Sequence, residues 1–180
     1  MTENALASSA SSSDETHLLQ PRAFDAILYG GLVVGVLDGS AAVITTLLYG
    51  NSPARMFQSI ARGLLGRASY EGGWTTVLLG VALHFLIAFI WATIYNGASF
   101  RFPALIRRAL ICGPIYGVAV FFAMQTIVLP LSAIRSSPFA FTASLKGMSI
   151  GIGVHIICVG LPIALMARQA AEKRWKTAHR

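Results

Sequence analysis

Apolar residues along this chain neither alternate nor recur at one spacing; in four places they simply run on. The stretches at about 23–49, 74–95, 105–131 and 145–166 are almost continuously apolar. About 20 helical residues cross roughly 30 Å of hydrocarbon, so each is long enough to span a bilayer. A chain in hydrocarbon must satisfy its own backbone hydrogen bonds, which a helix does within one segment. The pattern therefore predicts an all-α polytopic membrane protein, a four-transmembrane-helix bundle occupying residues 21–168.

The connection between the first two runs has a different texture. Met56, Phe57, Ile60, Ala61 and Leu64 recur at helical spacing, with Arg55, Ser59 and Arg62 elsewhere around the wheel. A short helix over 53–65, lying in the membrane interface, is expected. Ser52 supplies a capping hydroxyl, Pro53 suits the first helical position, and Gly66 is a natural stop. At the ends the pattern disappears. Residues 1–20 are serine-rich and polar, too poor in apolar surface to fold, and they lack the basic start of a signal peptide. Residues 169–180 form a basic tail.

Glycines fall on helix faces. Gly31, Gly35 and Gly39 form a ridge in the first run, Gly113 and Gly117 in the third, and Gly147 and Gly151 in the fourth, while Gly80 precedes His84 by one turn in the second. Small residues let membrane helices approach closely, so all eight are expected to pack helices. The first and third runs share Gly-x-x-x-Gly and the second and fourth share Gly-x-x-x-His, which suggests a 2+2 parallel internal repeat. Val120 then stands where the first half has Asp38. A spare glycine face would also serve a homo-oligomer.

Charge refines this picture. The net charge is +7, with only 12% charged residues, and the cations flank the apolar runs. Arg107, Arg108, Arg168, Lys173, Arg174 and Lys176 are read as lipid-headgroup contacts, in preference to a nucleic-acid surface. The N-terminal tail, second loop and C-terminal tail together hold nine Lys and Arg, against five in the other two loops. That asymmetry places both termini in the cytoplasm. Cys112 and Cys158 lie inside apolar runs with no metal-ligand spacing, and read as small buried hydrophobes.

Three ionisable residues remain inside the runs. His84 follows Trp74 by ten residues, His155 follows Leu145 by ten, and Asp38 precedes Tyr49 by eleven. At about 1.5 Å per residue, each lies roughly 15 Å deep, near the bilayer midplane. An intramembrane acid costs about 2.5–3.5 kcal/mol on insertion scales, so these groups belong inside the bundle. Their shared layer admits several readings. They fix helix packing through interhelical hydrogen bonds, as in a purely structural or assembly subunit. They handle protons or a small solute. They hold b-type haem through the two histidines, or a metal through two histidines and a carboxylate. Acid pairs, a nucleophile elbow and a phosphate loop are all missing from the sequence, which argues for a non-enzymatic protein.

The run from Gly30-Gly31 to Asp38, then Pro53 to Gly66, then Gly80 to His84 resembles the uncharacterised four-span bacterial inner-membrane proteins of the YagU type. The resemblance is one of layout over most of residues 24–166. It implies a bacterial inner-membrane location and brings no established active site with it. A protein partner is not legible in the sequence.

Overall fold

A computed structural model describes residues 23–135 and 144–178. The polar N-terminal stretch, the proline-containing part of the third loop and the last two residues lie outside the described residues. Among the described residues six α-helical elements follow in order: α1 (Ala23–Leu48), α2 (Pro53–Leu65), which runs on into a 3₁₀ turn (Gly66–Tyr70), α3 (Gly73–Arg101), the single turn α4 (Ala104–Arg107), α5 (Ala109–Leu131), and α6. α6 runs through Leu145–Val154, His155–Gly160 and Leu161–Ala178. Four of these, α1, α3, α5 and α6, are long and apolar enough to cross a membrane. Only 22% of the most apolar stretch of α3 is buried, so residues such as Leu78, Leu86, Ile90 and Ile94 face outward.

The spans are longer than the apolar runs suggest. Polar composition ends the second run at Tyr95, but no helix breaker follows it until Pro103, and α3 continues to Arg101. Tyr95 consequently lies within α3 and belongs to the core. It is 1% exposed, and its hydroxyl donates to Leu105 O at 2.9 Å. Tyr116 donates to Trp91 O at 2.7 Å and packs edge-on to Tyr95, which fastens α3 to α5 at this end. The chain breaks at Arg108 (φ −113°, ψ 40°), and α5 starts four residues later than expected, with Pro114 inside it. The basic stretch after residue 168 is helical as well. α6 continues to Ala178, burying Ala167, Ala170 and Ala171 in the same core as Ala26 of α1.

Helix contact follows the glycines, Gly147 excepted, and Gly80 differs only in which helix it meets. A methyl group at Gly31 or Gly35 would collide with the rings of Phe89 and Phe85, and one at Gly39 would lie 3.1 Å from His84 Nε2. The α1 ridge is thus a row of sockets for α3. The α5–α6 seam is tighter, because Gly113 and Gly117 meet the backbone of Leu161, Gly160 and His155. Gly151 receives the edge of Phe121. The corrections concern Gly147 and Gly80. Gly147 touches only Ser144, its own N-cap, so it packs no neighbouring helix; Gly160, on the far side of His155, takes that place against α5. Gly80 does pack closely, but against Phe57 O of α2 and not against another span. The two Gly-x-x-x-Gly helices therefore use their glycines differently, one for rings and one for backbone.

The amphipathic helix α2 spans residues 53–65 as its periodicity predicts. Ser52 occupies the N-cap with extended backbone, yet its hydroxyl makes no capping bond; its carbonyl accepts from Met56 N at 3.0 Å. Gly66 ends the helix at φ +63°, a conformation that costs glycine little. α2 is drawn onto α3 by buried Gln58, whose Nε2 donates to Gly73 O at 3.2 Å and Thr76 Oγ1 at 3.3 Å. It is also tied to the chain after α5, where Ala133 N donates to Gly63 O at 2.9 Å.

Backbone-to-backbone seams tolerate no added atoms. We expect Gly117→Ala and Gly160→Ala each to destabilise the detergent-solubilised protein by about 1–3 kcal/mol. Gly153→Ala, where a methyl would enter open space, should be neutral or stabilising by up to about 1 kcal/mol. Thermal unfolding of the three variants side by side checks this.

Candidate functional site

α1, α2, α3, α5 and α6 enclose a cavity of about 420 Å³. Asp38, His84 and His155 all border it, so the structure brings the three mid-span ionisable residues to one space. It does so without joining them. Among the described residues no hydrogen bond or ion pair links these side chains, and the Asp38 carboxylate has no partner of either kind.

Each imidazole is instead held by a backbone carbonyl. His84 Nε2 lies 3.0 Å from Gly35 O on α1. His155 Nδ1 lies 2.8 Å from Gly151 O, one turn back on its own helix. A carbonyl only accepts, so those two ring nitrogens carry hydrogen. In the neutral ring the other nitrogen, Nδ1 of His84 and Nε2 of His155, is then an acceptor. Edge-to-face contacts with Phe85 and Phe121 fix the ring planes further. The first contact depends on Gly35 and Gly39, because side chains there would keep His84 away from α1.

Both π-helical stretches among the described residues occur here. Met124–Val128 of α5 and His155–Gly160 of α6 are π-helical, and each contributes to the wall: Met124, Gln125 and Val128 from one, His155 and Val159 from the other. A π-turn inserts one residue into the helix and re-aims the side chains around it, and such turns recur at functional sites. Gln125, the one clearly polar side chain of the third run, reaches the cavity in this way.

The larger surprise comes from α2. Ser59 and Arg62, placed by the helical wheel away from the apolar stripe, border the same cavity. Arg62 Nε is buried without a hydrogen-bond partner, and its guanidinium forms no ion pair among the described residues. Sequence reasoning missed this residue because a wheel shows only that Arg62 avoids the apolar face. That α2 lies against the bundle, with polar space behind it, follows from Gln58, Gly80 and Gly63. The signal available was Gln58, an uncharged polar residue that shares the polar side of the wheel with Arg62.

A second space of about 380 Å³ lies between α1 and α6, lined by Thr45, Thr46, Tyr49, Gly147 and Ile150. Asp38 and His155 border it as well. The opposite end of the bundle is basic. Arg107 and Arg108 are exposed, Arg168 pairs with Glu172 at 2.8 Å, Lys173 sits over the Tyr29 ring, and Lys176 is exposed. Arg174 lies in the same helical turn as Lys173. Cys112 and Cys158 are free thiols.

Among the described residues no three His, Cys, Asp or Glu side chains converge in a way that would hold a metal ion. Compared with known proteins, the chain matches no family model, no curated protein and no solved structure.

An unpaired guanidinium in a largely apolar wall is a standing cost. Arg62→Met keeps the length of the side chain and removes the charge. We expect it to raise the thermal midpoint of the purified protein by about 2–4 °C, corresponding to roughly 1 kcal/mol for a chain of this size. Fluorescence-detected thermal unfolding in detergent checks this.

Proposed function

We propose that this protein is a multi-pass protein of the bacterial inner membrane, with both termini in the cytoplasm, that admits protons or a small polar solute to a mid-membrane cavity. Its action is non-enzymatic and depends on Asp38, His84 and His155. The observation that carries this reading is that three ionisable side chains from three spans border one cavity while making no bond to one another. His84 does fix packing, through its bond to Gly35 O on α1, whereas Asp38 makes no bond among the described residues and His155 bonds only within its own helix. Here the carboxylate is left unpartnered and each imidazole retains a free acceptor nitrogen. A site that exchanges protons or ligands needs that unused capacity.

Several features support the setting. Four helices have the length and composition to cross a bilayer, and their outward faces are apolar. The cations of the α3–α5 connection and the end of α6 lie at the end where α1 begins, which fits anionic headgroups on the cytoplasmic side. The layout resemblance to YagU-type proteins points to the same membrane. α2, on the opposite side, then belongs to the periplasmic face, where Leu64 and Leu65 remain exposed and suit the membrane interface.

Two measurements test this. A reporter active only in the periplasm should be silent when fused at Arg180 and active when inserted at Gly72. In proteoliposomes loaded with a pH-sensitive dye and given an imposed potential, the native protein should pass protons. Asp38→Asn should lower that flux about tenfold or more at unchanged protein abundance. Flux unaffected by Asp38→Asn, His84→Gln and His155→Gln would show that the layer handles no protons.

A further inference from the structure

The cavity holds two formal charges of opposite sign, neither with a charged partner among the described residues. Asp38 approaches from α1 and Arg62 from α2. The described part of the chain has one salt bridge, Arg168 to Glu172, and it does not involve them. Leaving either charge alone in a low-dielectric space is costly, and direct pairing would relieve both at once. The fold does not pair them. The two anchors are instead held apart across one space, in an arrangement that suits a ligand carrying both complementary charges.

The rest of the wall narrows the class. Ile60, Ile87, Trp91, Val120, Met124 and Val128 make most of the lining apolar, so the body of the ligand is apolar too. A volume of about 420 Å³ lies near the lower end of the roughly 300–1,000 Å³ typical of small-molecule sites. His84 and His155 border the cavity alongside Asp38, and each neutral ring has one acceptor nitrogen, as described above. Hydrogen-bond acceptors and a carboxylate suit an ammonium group. Arg62 borders the cavity with no ion pair among the described residues, and a guanidinium binds a carboxylate through charge-assisted hydrogen bonds.

We propose that the cavity binds a small zwitterion with an apolar side chain, of the α-amino acid class. Its carboxylate sits on Arg62, its ammonium on Asp38 with the two imidazoles, and its side chain among the apolar residues near Trp91. This assignment rests on the solute-handling reading above and gives that site its ligand. α2 is thereby a functional part of the site as well as a packing element.

The test uses the full-length protein in lipid nanodiscs and two ligand series. L-leucine is compared with 4-methylpentanoate, which lacks the amine, and with 3-methylbutylamine, which lacks the carboxylate. L-phenylalanine is compared with 3-phenylpropanoate and 2-phenylethylamine in the same way. Each charge-assisted contact is worth about tenfold or more in affinity. At least one amino acid should therefore bind, by calorimetry or by thermal shift, about tenfold or more tightly than both of its fragments. Arg62→Met should reduce its affinity to that of the amine, and Asp38→Asn to that of the acid. Arg62→Met is the informative variant, because it removes an unpaired charge and should remain folded. The proposal is overturned if neither amino acid binds, if a fragment binds as tightly as its parent, or if Arg62→Met binds as the native protein does. The proton-flux assay without added solute separates the two ideas. A layer variant that loses flux while no zwitterion binds removes this ligand and leaves the proton-handling reading in place.

Discussion

The seam between α1 and α3 sets the rest of the structure. Membrane helices gain nothing from hiding apolar surface from an apolar solvent, so close packing and interhelical hydrogen bonds must hold them. Gly31, Gly35 and Gly39 leave a trough along α1, and Phe89, Phe85 and His84 fill it in order. The third of these is an imidazole, and it lies close enough for Nε2 to reach Gly35 O. Packing and chemistry are thus one row of contacts, and the seam that joins the helices also fixes the tautomer of a cavity residue.

On the other side of the bundle, α5 and α6 approach through backbone, with Gly117 against His155 O and Gly160 against Gly113. The α3–α5 contact is of a different kind, made by Tyr95, Tyr116 and Trp91 toward one end. Helices joined tightly in two pairs, and bridged at one end by aromatic rings, leave space at the other. α2 closes that space, anchored by Gln58 and by the Gly63–Ala133 bond. The cavity is what remains when glycine-lined seams and bulky aromatic contacts are combined in one small bundle.

Much of this is legible in the sequence, for identifiable reasons. Four long apolar runs leave a helix as the natural way to satisfy the backbone in hydrocarbon, and α1 and α2 have nearly the expected limits. That Asp38, His84 and His155 reach one cavity follows from counting residues along each helix, because helical rise is constant. What the sequence does not reveal is which neighbour a face meets. Gly80 reads as a contact for another span, and Phe57 of α2 occupies it. Gly147 reads as part of a ridge and touches only its own cap, while Gly160 lies hidden beyond a π-turn that shifts the helical register. Arg62 is lost for the same reason: periodicity tells where a residue is not, and tertiary packing decides where it is. The end of α3 was obscured by polarity, since Asn96 and Ser99 are polar yet buried.

Asp38 and His155 border both the central cavity and the cleft between α1 and α6. With Ala42 they mark where the two spaces meet. His155 is fastened to Gly151 within its own helix, not to a neighbour, and Asp38 bonds to no neighbour among the described residues. Rotating either side chain therefore breaks no hydrogen bond between helices, and it belongs to the timescale of rotamer change. At this junction of two spaces, side chains can turn while every glycine seam stays closed.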